Sequence, residues 1–318
     1  MLQRLALQLP AWARPNHPAI RYVLGAQGRI SRRALLVQLF IALIVLAIAF
    51  IIGSNIPVEL GQSLSERLMN IVFWPLFVIQ ILISVTAIVY TSGAIGSEKG
   101  RQTWDNLRAT HSGTGLTLRA RWSAAVFYRL TGLISAIYLI RLVLVGTIVV
   151  DLTAFRGEYL NHLTGGITPE LPVIAGVLLL ALFMTASFVL PLTAIGFDAA
   201  FGLLVSTFVR GRIWVVMTQI FMAALRAGLA IGMVAFLIWA TDPITEASAE
   251  VELLSMIGFG AFGDWGLRYL HLAFIGELWA TVPYSIFVGA ALLVVAFGQA
   301  LLTDGILAWA IRRAERRE

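Results

Sequence analysis

Residues 34–53, ALLVQLFIALIVLAIAFIIG, run for 20 positions without a charge. About 20 apolar residues let a helix cross the hydrocarbon core of a bilayer, and lipid offers no partner to backbone N–H and C=O groups outside a helix or closed barrel. This run is therefore expected to be a transmembrane helix. The 33 residues before it contain Arg4, Arg14, Arg21, Arg29, Arg32 and Arg33 with Pro10, Pro15 and Pro18. They lack the compact apolar core of a cleavable leader, so the run should stay in the protein as a span.

Further apolar runs lie at about 70–93, 122–150, 172–209, 213–240 and 281–308. Only 13% of the residues are charged, about half of the roughly 25% in soluble domains. So little charge could not cover a soluble surface, and an all-α integral membrane fold follows. The absence of cysteine excludes disulfides and thiolate metal sites. His17, His111, His162 and His271 lack H-x-x-x-H spacing, which argues against metal binding. The basic residues do not gather into the single patch that nucleic-acid binding requires.

The run at 172–209 is ambiguous. Its 38 residues would reach roughly 57 Å as one helix, and Pro191 interrupts it. Two helices would give seven spans; one bent, tilted helix would give six. With six, every basic residue outside the spans except Arg67, Arg156 and Arg268 falls on one side, while eleven acids from Glu59 to Glu277 fall on the other. Cytoplasmic loops are enriched in Lys and Arg, so six spans in the plasma (cytoplasmic) membrane with both termini cytoplasmic are expected. The layout is then a cytoplasmic amphipathic segment (1–33), a six-span domain (34–308) and a basic tail (309–318). Between the fifth and sixth spans, 253–263 and 267–279 are apolar but too short to cross. They read either as short helices dipping into the outer leaflet or as an amphipathic surface hairpin.

Between the second and third spans lies GSEKGRQTWDNLRAT (96–110). Ser97 is a suitable N-cap for a helix ending near Thr110. At 100° per residue, Gly100, Thr103, Trp104 and Leu107 share a narrow face opposite Glu98, Arg101, Asp105 and Arg108, whose spacings allow weak ion pairs. Such a helix either rests its Trp on lipid headgroups or docks its ridge into a partner, with the Trp as anchor.

The same segment resembles the loop between the second and third spans of type-2 ATP-binding-cassette (ABC) transporter permeases. The matching positions are Glu98, Lys99, Arg101, Thr103, Trp104, Leu107 and Thr110; the family often continues Pro-Leu-Ser, where this chain has His111-Ser112-Gly113. NHPAIRYVLGAQGRISRR (16–33) is similar to the amphipathic helix before the family's first span, and FGLLVSTFVRGR (201–212) to the end of its fourth. The segments at 253–279 match its short external helices. The resemblance implies a cytoplasmic coupling helix, a homo- or heterodimer with a second permease half, and export by alternating access powered by a separate ABC-type ATPase. Trp104, Thr103 and Leu107 would be the knob gripped by that ATPase, with Glu98, Arg101 and Arg108 setting its electrostatic register. ATP would be bound by the partner, because this chain has no G-x-x-x-x-G-K-[ST] loop; its one lysine, Lys99, sits in GSEKGRQT. No catalytic, cofactor or metal residue is expected here.

Ionisable groups inside spans default to functional hypotheses. Counting along the helices puts Asp198 and Arg226 at roughly 18 and 20 Å from the inner face, so antiparallel neighbours could pair them as a structural clamp or a substrate contact. Arg141 is expected to snorkel outward or to meet Asp151. Asp264 falls in an outer loop, too far from Asp198 in depth for a carboxyl dyad. A secondary transporter using Asp198 and Arg226, or a non-transporting membrane anchor, are the rival functions. The former lacks the inverted repeats common in such carriers.

Overall fold

The computed structural model describes residues 10–24, 63–100, 104, 113–154, 173–209, 211–241, 248–271 and 285–316. Among them all regular structure is helical. The α-helices are α1 (Pro18–Leu24), α2 (Leu64–Ser92), α3 (Ala94–Gly100), α4 (Gly113–Ser123), α5 (Thr131–Ala154), α6 (Val173–Ser206), α7 (Arg212–Thr241), α8 (Ala249–Gly258) and α9 (Ser285–Arg316). Five of these, α2, α5, α6, α7 and α9, are long and apolar enough to cross a membrane. The run at 34–53 lies outside the described residues.

Local chemistry sets the boundaries. α2 starts at Leu64, earlier than its apolar run predicts, because Ser63 and Glu66 form a capping box: Glu66 N–H donates to Ser63 Oγ at 3.3 Å and Ser63 N–H to Glu66 Oε2 at 3.1 Å. Ser65 N–H, another of the amides freed at this helix start, donates to Asp151 Oδ2 at 2.8 Å. α5 starts at Thr131 instead of near 122. The polar α4 and a π-helical turn (Ala124–Arg129) precede it, ending in a bend at Leu130. The long run is a single helix, α6, continuous through Pro191.

α6 is the central post, and α2 and α9 pack along it in parallel. Gly289 of α9 lies against Leu182, Thr193 Oγ1 donates to Gln299 Oε1 at 2.9 Å, and Phe208 meets Trp309 edge-on at 6.4 Å, so rising numbers match. Across α2, Gly202 sits against Ile88 and Thr91, where a Cβ would fall 2.0 Å from Thr91 Oγ1 and 2.9 Å from the Ile88 carbonyl. α7 runs the other way, and its Gln219 Nε2 donates to Val89 O at 2.9 Å. It turns Ile213, Trp214, Ile220, Phe221 and Ile238 outward, as expected of a helix solvated by lipid.

Between α7 and α9 the described residues 248–271 form a hairpin that packs against the bundle. α8 passes into a π-helical turn (Phe259–Gly263), then a 3-10 turn (Arg268–Leu270) leads back. Phe259, Ala261, Trp265, Leu267 and Tyr269 join the main core with Phe183 and Leu292, while Leu254 and Phe262 stay exposed, so the hairpin packs one face into the bundle. Residues 272–279 lie outside the described residues. The reversal needs two left-handed residues, Trp265 (φ 54°) and Gly266 (φ 74°). Trp265 carries the cost of that conformation because the Asp264 carboxylate locks the turn, accepting from Gly266 N–H at 2.9 Å and Arg268 N–H at 2.6 Å.

Candidate functional site

Two polar constellations interrupt the apolar bundle. The first lies at mid-height. Arg226 Nε donates to Asp198 Oδ2 at 3.1 Å, joining α7 to α6 as depth counting predicts. The same guanidinium donates through Nη1 to the Phe262 carbonyl at 3.1 Å, so it also holds the hairpin. Ser84 of α2 lies beside the Asp198 carboxylate. Both charges are buried, and removing either one would strand the other.

Arg141 neither snorkels nor reaches Asp151. It is 0% exposed, and its partners are three backbone carbonyls and the Gln80 side chain. Nη1 donates to Ser187 O and to Trp265 O at 2.9 Å, and Nη2 to Asp264 O at 3.1 Å. With the Gln80 amide oriented to satisfy its neighbours, Gln80 Oε1 accepts from Nη2 and its nitrogen donates to Asp264 O, each at 2.8 Å. The Ser187 contact has a covalent origin. Pro191 has no N–H, so the carbonyl four residues earlier in α6 loses its helical partner, and Arg141 supplies the missing donor. The Asp264 and Trp265 carbonyls stand where the hairpin's helix ends, another place with orphan acceptors. Arg141 thus pins α5, α6, α2 and the hairpin together.

Burial pushes the Asp264 carboxyl up to about 6, against the pull of the Arg268 and Gly266 amides and the Arg141 and Arg268 charges. Burial, helped by the Arg268 charge, pushes His271 down to about 4.

The second constellation lies at the opposite, Arg-rich end. Gly93 separates α3 from α2, and α3 begins at Ala94, so Ser97 is inside the helix and not its N-cap. Glu98, only 5% exposed, pairs with Arg121 of α4 and accepts from Tyr22 Oη of α1 at 3.0 Å. Tyr128 Oη donates to Ala13 O at 2.6 Å, fixing the chain ahead of α1 to the π-helical turn. Arg129 stacks on the Tyr90 ring at 4.0 Å.

Trp104 is helical and also 5% exposed. It packs in a small core with Ile95, Leu118, Leu203, Leu204, Leu307 and Ala310. The resemblance implies that Trp104 is a knob offered to an ATPase; in the structure the ends of α6 and α9 cover it instead. Arg101, Thr103, Leu107 and Arg108 lie outside the described residues.

Spacing did not single out Gln80, Tyr22 or Arg121, and it set Asp264 aside as a loop residue. One available signal was Pro191, four residues after Ser187, which marks a carbonyl in need of a donor. Five membrane-length helices, closed by a hairpin packed against them and pinned by buried arginines, define a multi-pass membrane protein. No family model, curated protein or solved structure matches the chain.

Proposed function

We propose that this chain is the membrane permease subunit of an ABC transporter of the type-2 kind. In this reading it has six spans with the 34–53 run as the first, both termini on the cytoplasmic side of the plasma membrane, and a second permease half beside it. A separate ATPase binds the Arg-rich end through residues 97–110 and drives export by alternating access. Beyond the resemblance of GSEKGRQTWDNLRAT, the reading is carried by the seat of Trp104 among Leu203, Leu204, Leu307 and Ala310. A load on this segment reaches α6 and α9 directly. Trp104 then serves as the root of the lever, and Arg101, Thr103, Leu107 and Arg108 become the residues offered to the ATPase. Glu98, tied to Arg121 and Tyr22, carries the load to α4 and α1. Energetic coupling between distant sites needs such a shared two-state element.

The test is co-expression with candidate ATPases and purification in detergent. The expected result is that wild type retains an ATPase, Leu107→Asp loses it, and Trp104→Ala retains it but no longer transmits ATP turnover to transport. An ATPase recovered equally with Leu107→Asp would remove the docking role.

A further inference from the structure

A cavity of about 290 Å³ lies between α2, α6, α7 and the hairpin, walled by Ile88, Phe197, Phe201, Met222, Leu229 and Phe262. An apolar cavity of roughly 150 Å³ already accepts benzene and stays dry when empty; this one is about twice as large. Leu225 and Leu229 are 49% and 40% exposed and sit near the middle of α7. The mouth therefore opens through the side of the bundle at mid-height, where the surrounding medium is acyl chain.

The wall has one charged feature, the Asp198–Arg226 pair. Arg226 commits Nε to Asp198 and Nη1 to the Phe262 carbonyl. Its remaining Nη2 has no protein partner among the described residues and is the donor left for a ligand. Gln299, held by Thr193 at 2.9 Å, adds an amide to the same wall. A carboxylate ligand is disfavoured. Asp198 already neutralises Arg226, and a second anion a few ångströms away in an apolar wall would force one of the two to take up a proton. A neutral oxygen meets the donor without that conflict.

We propose that this cavity binds an uncharged amphiphile, an apolar chain bearing one ester or hydroxyl oxygen, which enters sideways from the bilayer and accepts a hydrogen bond from Arg226. The proposal does not depend on an ATPase, so binding is measured on the purified full chain alone.

The probe is methyl hexadecanoate carrying a diazirine in its chain. After irradiation in detergent, adducts are mapped by mass spectrometry. Adducts are expected on peptides holding Phe197–Phe201 and Leu225–Leu229. Unlabelled methyl hexadecanoate and hexadecanol should compete about tenfold better than hexadecane, the equivalent of one hydrogen bond to a charged donor, and better than hexadecanoate at pH 8. Leu229→Trp, a change at a half-exposed site, fills the mouth. It should abolish adducts at Phe197–Phe201 while labelling near exposed Phe287 and Val294 of α9 is unchanged. Arg226→Lys keeps a charge opposite Asp198 but loses the planar fork, and should erase the preference for ester over alkane. The proposal is overturned by adducts that follow surface exposure alike in wild type and Leu229→Trp. It is equally overturned if hexadecane or hexadecanoate competes as well as the ester, or if a second copy of the chain occupies the mouth and appears as inter-chain crosslinks.

Discussion

Replacing Arg141 with Met tests whether a missing amide in one helix is supplied by a side chain from another. The substitution removes every donor to Ser187 O and Trp265 O. The Asp264 carbonyl retains Leu267 N–H at 3.3 Å and the Gln80 amide at 2.8 Å, but Gln80 Oε1 loses Arg141 Nη2, so the stranded acceptors are Ser187 O, Trp265 O and Gln80 Oε1. A stranded buried acceptor costs about 1–3 kcal/mol, giving about 3–9 kcal/mol for the three. Removing a buried charge offsets part of this, and a net loss of about 2–4 kcal/mol is expected. Pro191→Ala returns an N–H to α6 within reach of Ser187 O. In that background Arg141→Met should cost about 1–2 kcal/mol less, the scale of a hydrogen bond between membrane helices. The four proteins of the cycle are compared by equilibrium unfolding in mixed micelles, followed by tryptophan fluorescence. If the two changes add within about 0.5 kcal/mol, Pro191 and Arg141 are independent and the explanation of the pin fails.

Three other outcomes follow from the packing. Gly202→Ala drives a Cβ into Thr91 and the Ile88 carbonyl, and should cost about 1–3 kcal/mol as overpacking. Thr91→Ala should recover only part of the lost melting temperature because the Ile88 carbonyl is backbone; an unchanged melting temperature would contradict the close approach. For Asp264, held up to about 6 by burial, the unfolded chain ionises first as pH rises, near 3.8. Stability is therefore full below pH 4 and falls by about 3 kcal/mol between pH 4 and 6. The stability of wild type minus that of Asp264→Asn should slope downward through that window, and a level difference refutes the assignment. Glu98→Gln leaves Arg121 buried without its counter-charge and should cost about 3 kcal/mol, with Glu98→Gln/Arg121→Met recovering most of it. Equal stability of the single variant and wild type would show that the pair carries no energy.

Much of this architecture was readable from residue order. Run length located the membrane-crossing helices, and the Ser63–Glu66 spacing explains where α2 begins. Depth counting from the ends of α6 and α7 brought Asp198 to Arg226, because position along a helix converts directly to height. The failures have a common cause. Periodicity assigns Trp104, Gly100 and Leu107 to one face but does not say whether that face turns toward the bundle or away. Arg141 was misplaced because most of its acceptors are main-chain oxygens, which have no letter of their own. The start of α5 was set too early because Trp122 and Ala124–Phe127 are as apolar as a span, and nothing in them announces a π-helical turn.

The parallel run of α2, α6 and α9 has an electrical consequence. Each helix carries a dipole worth roughly half an elementary charge at each terminus, felt within its first or last turn. These three helices therefore leave local negative potential at their ends and local positive potential at their starts, even though α7 runs the other way and offsets part of the sum across the bundle. Arg313 and Arg316 occupy the last turn of α9, and the Arg313 guanidinium lies 3.6 Å over the Phe208 ring, just past the end of α6. At the other pole, Glu66 sits in the first turn of α2 and Asp151 reaches its Ser65 amide. The lopsided charges on which the expected orientation rests also lie where they offset the field at these helix ends. Reversing them would oppose insertion and the folded bundle together.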